Sequence, residues 1–178
     1  GADINYINKH GLSILNIALL EKWSYSAIEF ISNCPIDKRI ITKDNQTYLM
    51  LLVSLGSIGL LKKFSSIFDW MNHQDNNGNT VLHYAVENSG VSIELLDFLL
   101  KNKANVNICN HKSQTPVLYG LIHRLRDMKI IRLFLEAGAD IDIQDENGET
   151  AFFYAIRENK EEIASWFIIN GASWKIEK

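Results

Sequence analysis

Apolar residues fall along this chain in short runs at helical spacing, separated by polar stretches. The runs Ile93-Glu94-Leu95-Leu96-Asp97-Phe98-Leu99-Leu100, Ile130-Ile131-Arg132-Leu133-Phe134-Leu135 and Ile163-Ala164-Ser165-Trp166-Phe167-Ile168 each place their apolar side chains along a helix face. Ahead of each lies another apolar run, opened by Thr80, Thr115 or Thr150. A hydroxyl there caps the free N–H groups at a helix start. Pro116 follows Thr115 at the first helical position, where its missing N–H costs nothing. Gly138 and Gly171 come after the second runs, as helix-ending residues able to take positive φ. The pattern predicts a succession of αα-hairpins joined by turns.

The hairpins recur. Asp75-Asn76-Asn77-Gly78-Asn79-Thr80-Val81-Leu82-His83-Tyr84-Ala85-Val86 is repeated as Asn110-His111-Lys112-Ser113-Gln114-Thr115-Pro116-Val117-Leu118-Tyr119-Gly120-Leu121. It returns as Asp145-Glu146-Asn147-Gly148-Glu149-Thr150-Ala151-Phe152-Phe153-Tyr154-Ala155-Ile156. Weaker copies begin at Asn8 and Thr42. The hydroxyl markers Ser13, Thr47, Thr80, Thr115 and Thr150 stand 34, 33, 35 and 35 residues apart. A second marker reads Ala104-Asn105-Val106-Asn107, Gly138-Ala139-Asp140-Ile141-Asp142 and Gly171-Ala172-Ser173-Trp174, and Gly1-Ala2-Asp3-Ile4-Asn5 has the same form. The small residues Ala18, Ala85, Gly120 and Ala155 let each inner helix lie close to its neighbour. One such pair cannot bury its apolar face alone, and stacking buries it against the next.

These residues resemble the ankyrin repeat, with its Asp-x-x-Gly-x-Thr-Pro-Leu-His-x-Ala-Ala opening and Gly-Ala-Asp-Val-Asn close, over essentially the whole chain. The resemblance implies an all-α solenoid of stacked helix-turn-helix units with short hairpin tips. It divides one domain, 1–178, into repeats at 8–41, 42–74, 75–109, 110–144 and 145–178, with 1–7 the tail of a preceding repeat. Inner helices and tips are expected on the concave side and outer helices on the convex side. His83 fits the family's buried helix-start histidine, bonded within and between repeats.

Departures from the pattern carry expectations of their own. Asn45 stands where Gly is usual, and Lys103 and Phe68 stand where Gly ends the second helix. A side chain at positive φ costs about 1 kcal/mol or forces another turn. Residues 31–41 lack the Gly-Ala-Asp marker, which predicts an irregular loop. The two periods of 35 imply insertions, placed at Asn88–Val91 and Arg124–Asp127. Repeat one would present Leu15, Ile17 and Leu19 to an empty side, as in a piece of a longer array.

Composition narrows the function. With 47% hydrophobic residues and 22% charged, the chain falls in the ordinary range for a globular protein. A net charge of -3 argues against nucleic acid as the main partner. Two cysteines, Cys34 and Cys109, fit free thiols of a reducing, intracellular compartment better than a disulfide framework. The most apolar stretch, Tyr48 to Leu61, is too short to span a bilayer, so no membrane partner is expected.

Catalytic and cofactor chemistry lacks a signature. Gly56-Ser57-Ile58-Gly59 lacks the remaining residues of a phosphate-binding loop and reads as the turn between two helices. No Cys-x-x-Cys or His-Glu-x-x-His spacing supports a metal, so no cofactor is expected. Asn45-Gln46-Thr47 matches a glycosylation sequon, but Thr47 is already explained as a helix cap. Trp166 reads as core. Trp23, Tyr25, Trp70 and Trp174 are either interface anchors or contacts to neighbouring repeats.

The resemblance implies a protein or peptide partner in the concave groove, and neither an enzyme nor a small-molecule site. Carried over by position, the exposed groove residues are Asn76, Asn77, Asn79, Glu87 and Asn88 in repeat three. In repeat four they are His111, Lys112, Gln114, Ile122 and His123, and in repeat five Glu146, Asn147, Glu149, Arg157 and Glu158. Repeat four is rich in cations and repeat five in carboxylates, which would orient a partner by complementary charge. A standard interface would cover about 1,600 Å² in total. The alternative is an accessory domain that recruits substrate for a catalytic domain elsewhere, in an enzyme or in a pathogen effector delivered to a host cell.

Overall fold

The structure, a computed structural model, describes residues 3–37, 39–63, 70–87, 92–123 and 125–173. The described residues form ten α-helices and no strand. In chain order they are α1 (Ile14–Leu20), α2 (Tyr25–Ser32), α3 (Tyr48–Ser54), α4 (Ile58–Lys63), α5 (Val81–Glu87), α6 (Ile93–Lys101), α7 (Pro116–Ile122), α8 (Met128–Glu136), α9 (Ala151–Arg157) and α10 (Glu161–Ile169). Odd-numbered helices form an inner row in which α1, α3, α5, α7 and α9 each touch the next, and α6 touches α8 in the outer row. Each unit therefore contacts its neighbours, as a solenoid requires. No helix among the described residues is long and apolar enough to cross a membrane.

Local chemistry sets where the inner helices start. The side chains of Ser13, Thr47, Thr115 and Thr150 accept the backbone N–H three residues on, from Asn16, Met50, Leu118 and Phe153. Such a cap stabilises a helix by about 1 kcal/mol. Ser24 and Ser92 cap α2 and α6 in the same way, and Asp127 caps α8 by accepting the Lys129 N–H two residues on. The outer helices end on left-handed residues: Gly138 at φ 84°, Gly171 at φ 86° and Lys103 at φ 67°. Lys103 thus keeps the glycine's turn rather than replacing it. Phe68 lies outside the described residues.

Apolar burial joins the units. Leu15, Leu49, Leu82, Val117 and Ala151 along the inner row are buried, as are Leu60, Leu96, Ile131 and Phe134 in the outer row. Full burial of each large side chain contributes about 1.5–3 kcal/mol. Ala18, Ala85, Gly120 and Ala155 lie buried where helices meet. A Cβ on Gly120 would sit 3.0 Å from Leu125 Cδ2 and 3.1 Å from Val86 Cβ, so glycine sets that approach.

Two repeating bond patterns lock the register. Each tip closes by a backbone pair, such as Asp75 N–H to Asn79 C=O at 3.0 Å and Asn110 N–H to Gln114 C=O at 2.9 Å. Successive tips are joined by Asn76 N–H to Asp44 C=O, His111 N–H to Asn77 C=O and Glu146 N–H to Lys112 C=O. Between outer-helix ends, Asn72 donates to the Lys103 carbonyl and accepts from Asn105 N–H, and Asn107 does the same with Gly138 and Asp140.

Several expectations change. Residues 31–41 keep the repeat's register: Asn5 holds the Pro35 carbonyl and Asp37 N–H, and Asp37 Oδ1 accepts Arg39 N–H. Asp37 thus does the work of the missing marker. Leu15 and Leu19 are not presented to an empty side but are buried, because α1 packs them on α2 and α3. Ile17 is half-buried, and Ile14 and Leu20 are the exposed apolar residues there. The insertion at Asn88–Val91 falls outside the described residues, as do Arg124 and Trp174. In the second insertion Leu125 is buried beneath Gly120 and Asp127 caps α8. Asn45 sits at φ 60° and donates to the Gln74 carbonyl. Trp166 is half-buried, with the Arg132 guanidinium 5.9 Å from its ring centre. Trp70 is half-buried and packs on His73, whereas Trp23 and Tyr25 are exposed. Cys34 and Cys109 are free thiols.

Candidate functional site

Tips and inner helices of repeats three and four enclose a depression of about 470 Å³, lined by Asn77, Asn79, His111, Lys112, Tyr119 and His123 among others. Its shape follows from Gly78 at φ 77°, where the following tip crosses so closely that a Cβ would lie 2.7 Å from His111 N. An adjoining depression of about 640 Å³ shares Ile122 and runs on to Tyr154, Glu158 and Lys160.

Tyr119 lines the first depression and Tyr154 the second, and with Tyr84 they form a register row that the sequence pattern did not single out. Tyr84, Tyr119 and Tyr154 each stand four residues after the capping threonine, at the position the repeat pattern leaves open. Their rings are held in place. Tyr84 donates to Asp75 Oδ2 at 2.7 Å and accepts from Gln46 Nε2 at 2.8 Å. Tyr119 packs edge-on against His83 with ring centres 5.4 Å apart, and Tyr154 donates to the Ile122 carbonyl at 3.3 Å. Burial, reinforced by Glu87, pushes the Tyr119 phenol up to about 12. Burial likewise raises Tyr84 and Tyr154. All three phenols stay neutral, anchored and partly apolar, a low-entropy contact surface of the kind interfaces favour.

Charged groups flank these rings. His123 lies over Tyr119 with ring centres 4.1 Å apart. Arg157 sits 4.7 Å from the Tyr154 ring centre and is paired with Glu149 and Glu158. Lys160 donates to the Leu121 carbonyl at 2.7 Å, and burial lowers its pKa. By contrast, no side-chain hydrogen bond or ion pair among the described residues engages His111, Lys112 or His123.

The groove residues named from the sequence divide by exposure. Asn76, Asn77, Glu87, His111, Lys112, His123, Glu146, Asn147, Arg157 and Glu158 are exposed. Asn79, Ile122 and Glu149 are half-buried. Gln114 lines the first depression but is not exposed. It is buried beneath the tip, its N–H bonded to Asn110 Oδ1 and its carbonyl to His83. Asn88 lies outside the described residues. His83 takes the position implied for it. Its Nδ1 accepts Thr80 N–H at 3.0 Å, which places the proton on Nε2, and Nε2 donates to the Gln114 carbonyl. Among the described residues no group of His, Cys, Asp or Glu could hold a metal ion.

Comparison with known proteins agrees with this geometry. A family model for ankyrin repeats matches residues 15–110 and 89–178. The human transient receptor potential cation channel subfamily A member 1 is 30% identical over 128 residues, 70% of this chain and 11% of that protein. The phosphocholine transferase AnkX of Legionella pneumophila is 26% identical over 148 residues, 82% of this chain and 15% of that protein. The chain thus spans a small part of both relatives. A crystal structure of an ankyrin repeat domain from Acinetobacter baumannii shares the fold with a TM-score of 0.83 at 20% identity, covering 97% of this chain and 88% of that one.

Proposed function

The chain belongs to the ankyrin repeat family, and on that premise we propose that it binds a protein or peptide in the groove of repeats three to five. Binding, not catalysis, is its role in this reading, in an intracellular compartment that keeps its two cysteines reduced. The observation that carries the reading is the contrast within the groove. Tyr84 and Tyr154 are held by hydrogen bonds, while among the described residues His111, Lys112 and His123 make no side-chain hydrogen bond or ion pair. A rigid surface with uncommitted polar groups is preorganised for a ligand.

The test is a double charge reversal, Lys112→Glu with Arg157→Glu. Both residues are exposed, so the fold is expected to survive, as circular dichroism would show. Proteins captured by the native chain are expected to be lost by this variant and kept by Arg132→Glu on the outer helix α8. Captured partners whose affinity is unmoved by the groove variant would overturn the assignment.

The likeness to a phosphocholine transferase favours a second reading, in which the same groove presents a substrate to a catalytic unit elsewhere in a longer polypeptide. The full-length reading frame separates the two.

A further inference from the structure

We infer, resting on the groove reading above, that the ligand is an extended peptide segment carrying an acidic side chain three residues from a basic one. The acidic side chain sits against repeat four and the basic one against repeat five. Three register positions carry the inference. They read Asn76, Asn79 and Asn88 in repeat three, His111, Gln114 and His123 in repeat four, and Glu146, Glu149 and Glu158 in repeat five. One step of 35 residues therefore changes the first and third places from amide to imidazole, and the next step changes all three to carboxylate, the second place staying an amide at the buried Gln114.

Among the described residues, His111, His123, Glu146 and Glu158 are exposed to a ligand. The depression at repeats three and four is lined by His111, Lys112 and His123 and by no carboxylate. Glu87 approaches from repeat three, close enough to help raise the Tyr119 pKa, and its side chain is exposed. A carboxylate side chain of the ligand would find two imidazoles and an ammonium, with no carboxylate among the lining residues. One repeat on, Arg157 is paired with Glu149 and Glu158, and the adjoining depression sets Glu158, Glu161 and Glu162 against Arg126 and Lys160. Carboxylates are in excess there, and a cationic side chain is complementary.

The tips set the spacing. Asp75 N–H bonds Asn79 C=O within a tip, and His111 N–H bonds Asn77 C=O between tips. Two hydrogen-bonded steps of about 5 Å each therefore separate equivalent atoms of adjacent repeats, about 10 Å in all. Extended backbone rises about 3.3 Å per residue, so three ligand residues span one repeat. A helical ligand, rising about 1.5 Å per residue, would need about seven.

The experiment is selection of binders from a displayed library of random dodecapeptides, using the native chain and Lys112→Glu/His123→Glu in parallel. Against the native chain, enriched peptides are expected to hold Asp or Glu three residues from Lys or Arg. Against the variant, the acidic position is expected to turn basic while the other basic position persists. In a synthesised binder, changing its acidic residue to Lys is expected to weaken binding to the native chain tenfold or more. Peptides lacking that spacing, or spaced by seven, overturn the inference but leave the groove reading standing if Lys112→Glu abolishes their binding. Peptides indifferent to Lys112→Glu and Arg157→Glu overturn both. A selection that enriches nothing overturns the extended-peptide ligand.

Discussion

His83 Nε2 donates to the Gln114 carbonyl at 3.0 Å, across the joint between repeats three and four. Burial holds this imidazole's pKa down to about 4, against 6.5 for the free group. The folded chain therefore keeps His83 neutral where the unfolded chain takes up a proton. Above about pH 6.5 the joint contributes in full. Stability then falls as pH drops from 6.5 towards 4, by a total on the order of 3 kcal/mol, and levels off below. Urea midpoints at pH 7.5, 5.5 and 4.5 read this slope. His83→Leu is expected to flatten it and to cost about 1–2 kcal/mol at pH 7.5, since Thr80 N–H and the Gln114 carbonyl lose their partner. An unchanged slope in that variant would assign the acid sensitivity to another group.

Gly78→Ala is expected to destabilise the chain by well over 1 kcal/mol. Positive φ alone costs about 1 kcal/mol for a side chain, and the new Cβ would lie 2.7 Å from His111 N, a backbone atom that cannot swing aside. Gly148→Ala is the control. It has φ 75° but nothing within 4 Å of the Cβ, so it isolates the backbone cost. Equal losses in thermal denaturation would mean that the tips separate without penalty.

Ser113 occupies the tip position of Gly78 and Gly148 at φ 58°, and its side chain is exposed. Ser113→Gly is expected to raise stability by about 0.5 kcal/mol. Relief of left-handed strain outweighs the extra freedom that glycine gives the unfolded chain. A lower denaturation midpoint would contradict this.

Asn16 stands in repeat one where His83 stands in repeat three, and its Nδ2 is buried without a hydrogen-bond partner. The shorter amide caps Ser13 with its oxygen, but its nitrogen does not reach an acceptor in the next repeat as the imidazole does. Asn16→His is expected to add about 1 kcal/mol by bonding the carbonyl before Thr47. A loss would show that the joint with α3, where Tyr48 already bonds Ser13 at 2.6 Å, has no room for the larger ring.

The helix starts were legible in the sequence because a cap is a local event. Thr115 and Pro116 announce α7 within two residues. Asp37 was not legible, since it replaces the Gly-Ala-Asp marker through a bond to Asn5, more than thirty residues away. The burial of Gln114 depends on a distant contact in the same way. A polar tip residue reads as exposed until the neighbouring repeat's His83 folds over its carbonyl. The tyrosine row had a plain signal, one phenol at a constant offset from Thr80, Thr115 and Thr150, but at a position the family pattern leaves blank. Side-chain commitment in the groove, such as Arg157 against Glu149, depends on rotamers and on two repeats at once, which no periodicity encodes.

The tip-to-tip bonds and the Asn72 and Asn107 clamps all run along one axis, each linking a unit only to the next. Pulled from its two ends, such a molecule behaves as springs in series. Every joint bears the whole load, and the force at which it parts is set by its weakest junction rather than by total stability. Arg39 stands at the position of Asn72 and Asn107 without a side-chain oxygen to accept the neighbour's N–H. Rupture under tension is therefore expected to start between repeats one and two, leaving the groove of repeats three to five whole.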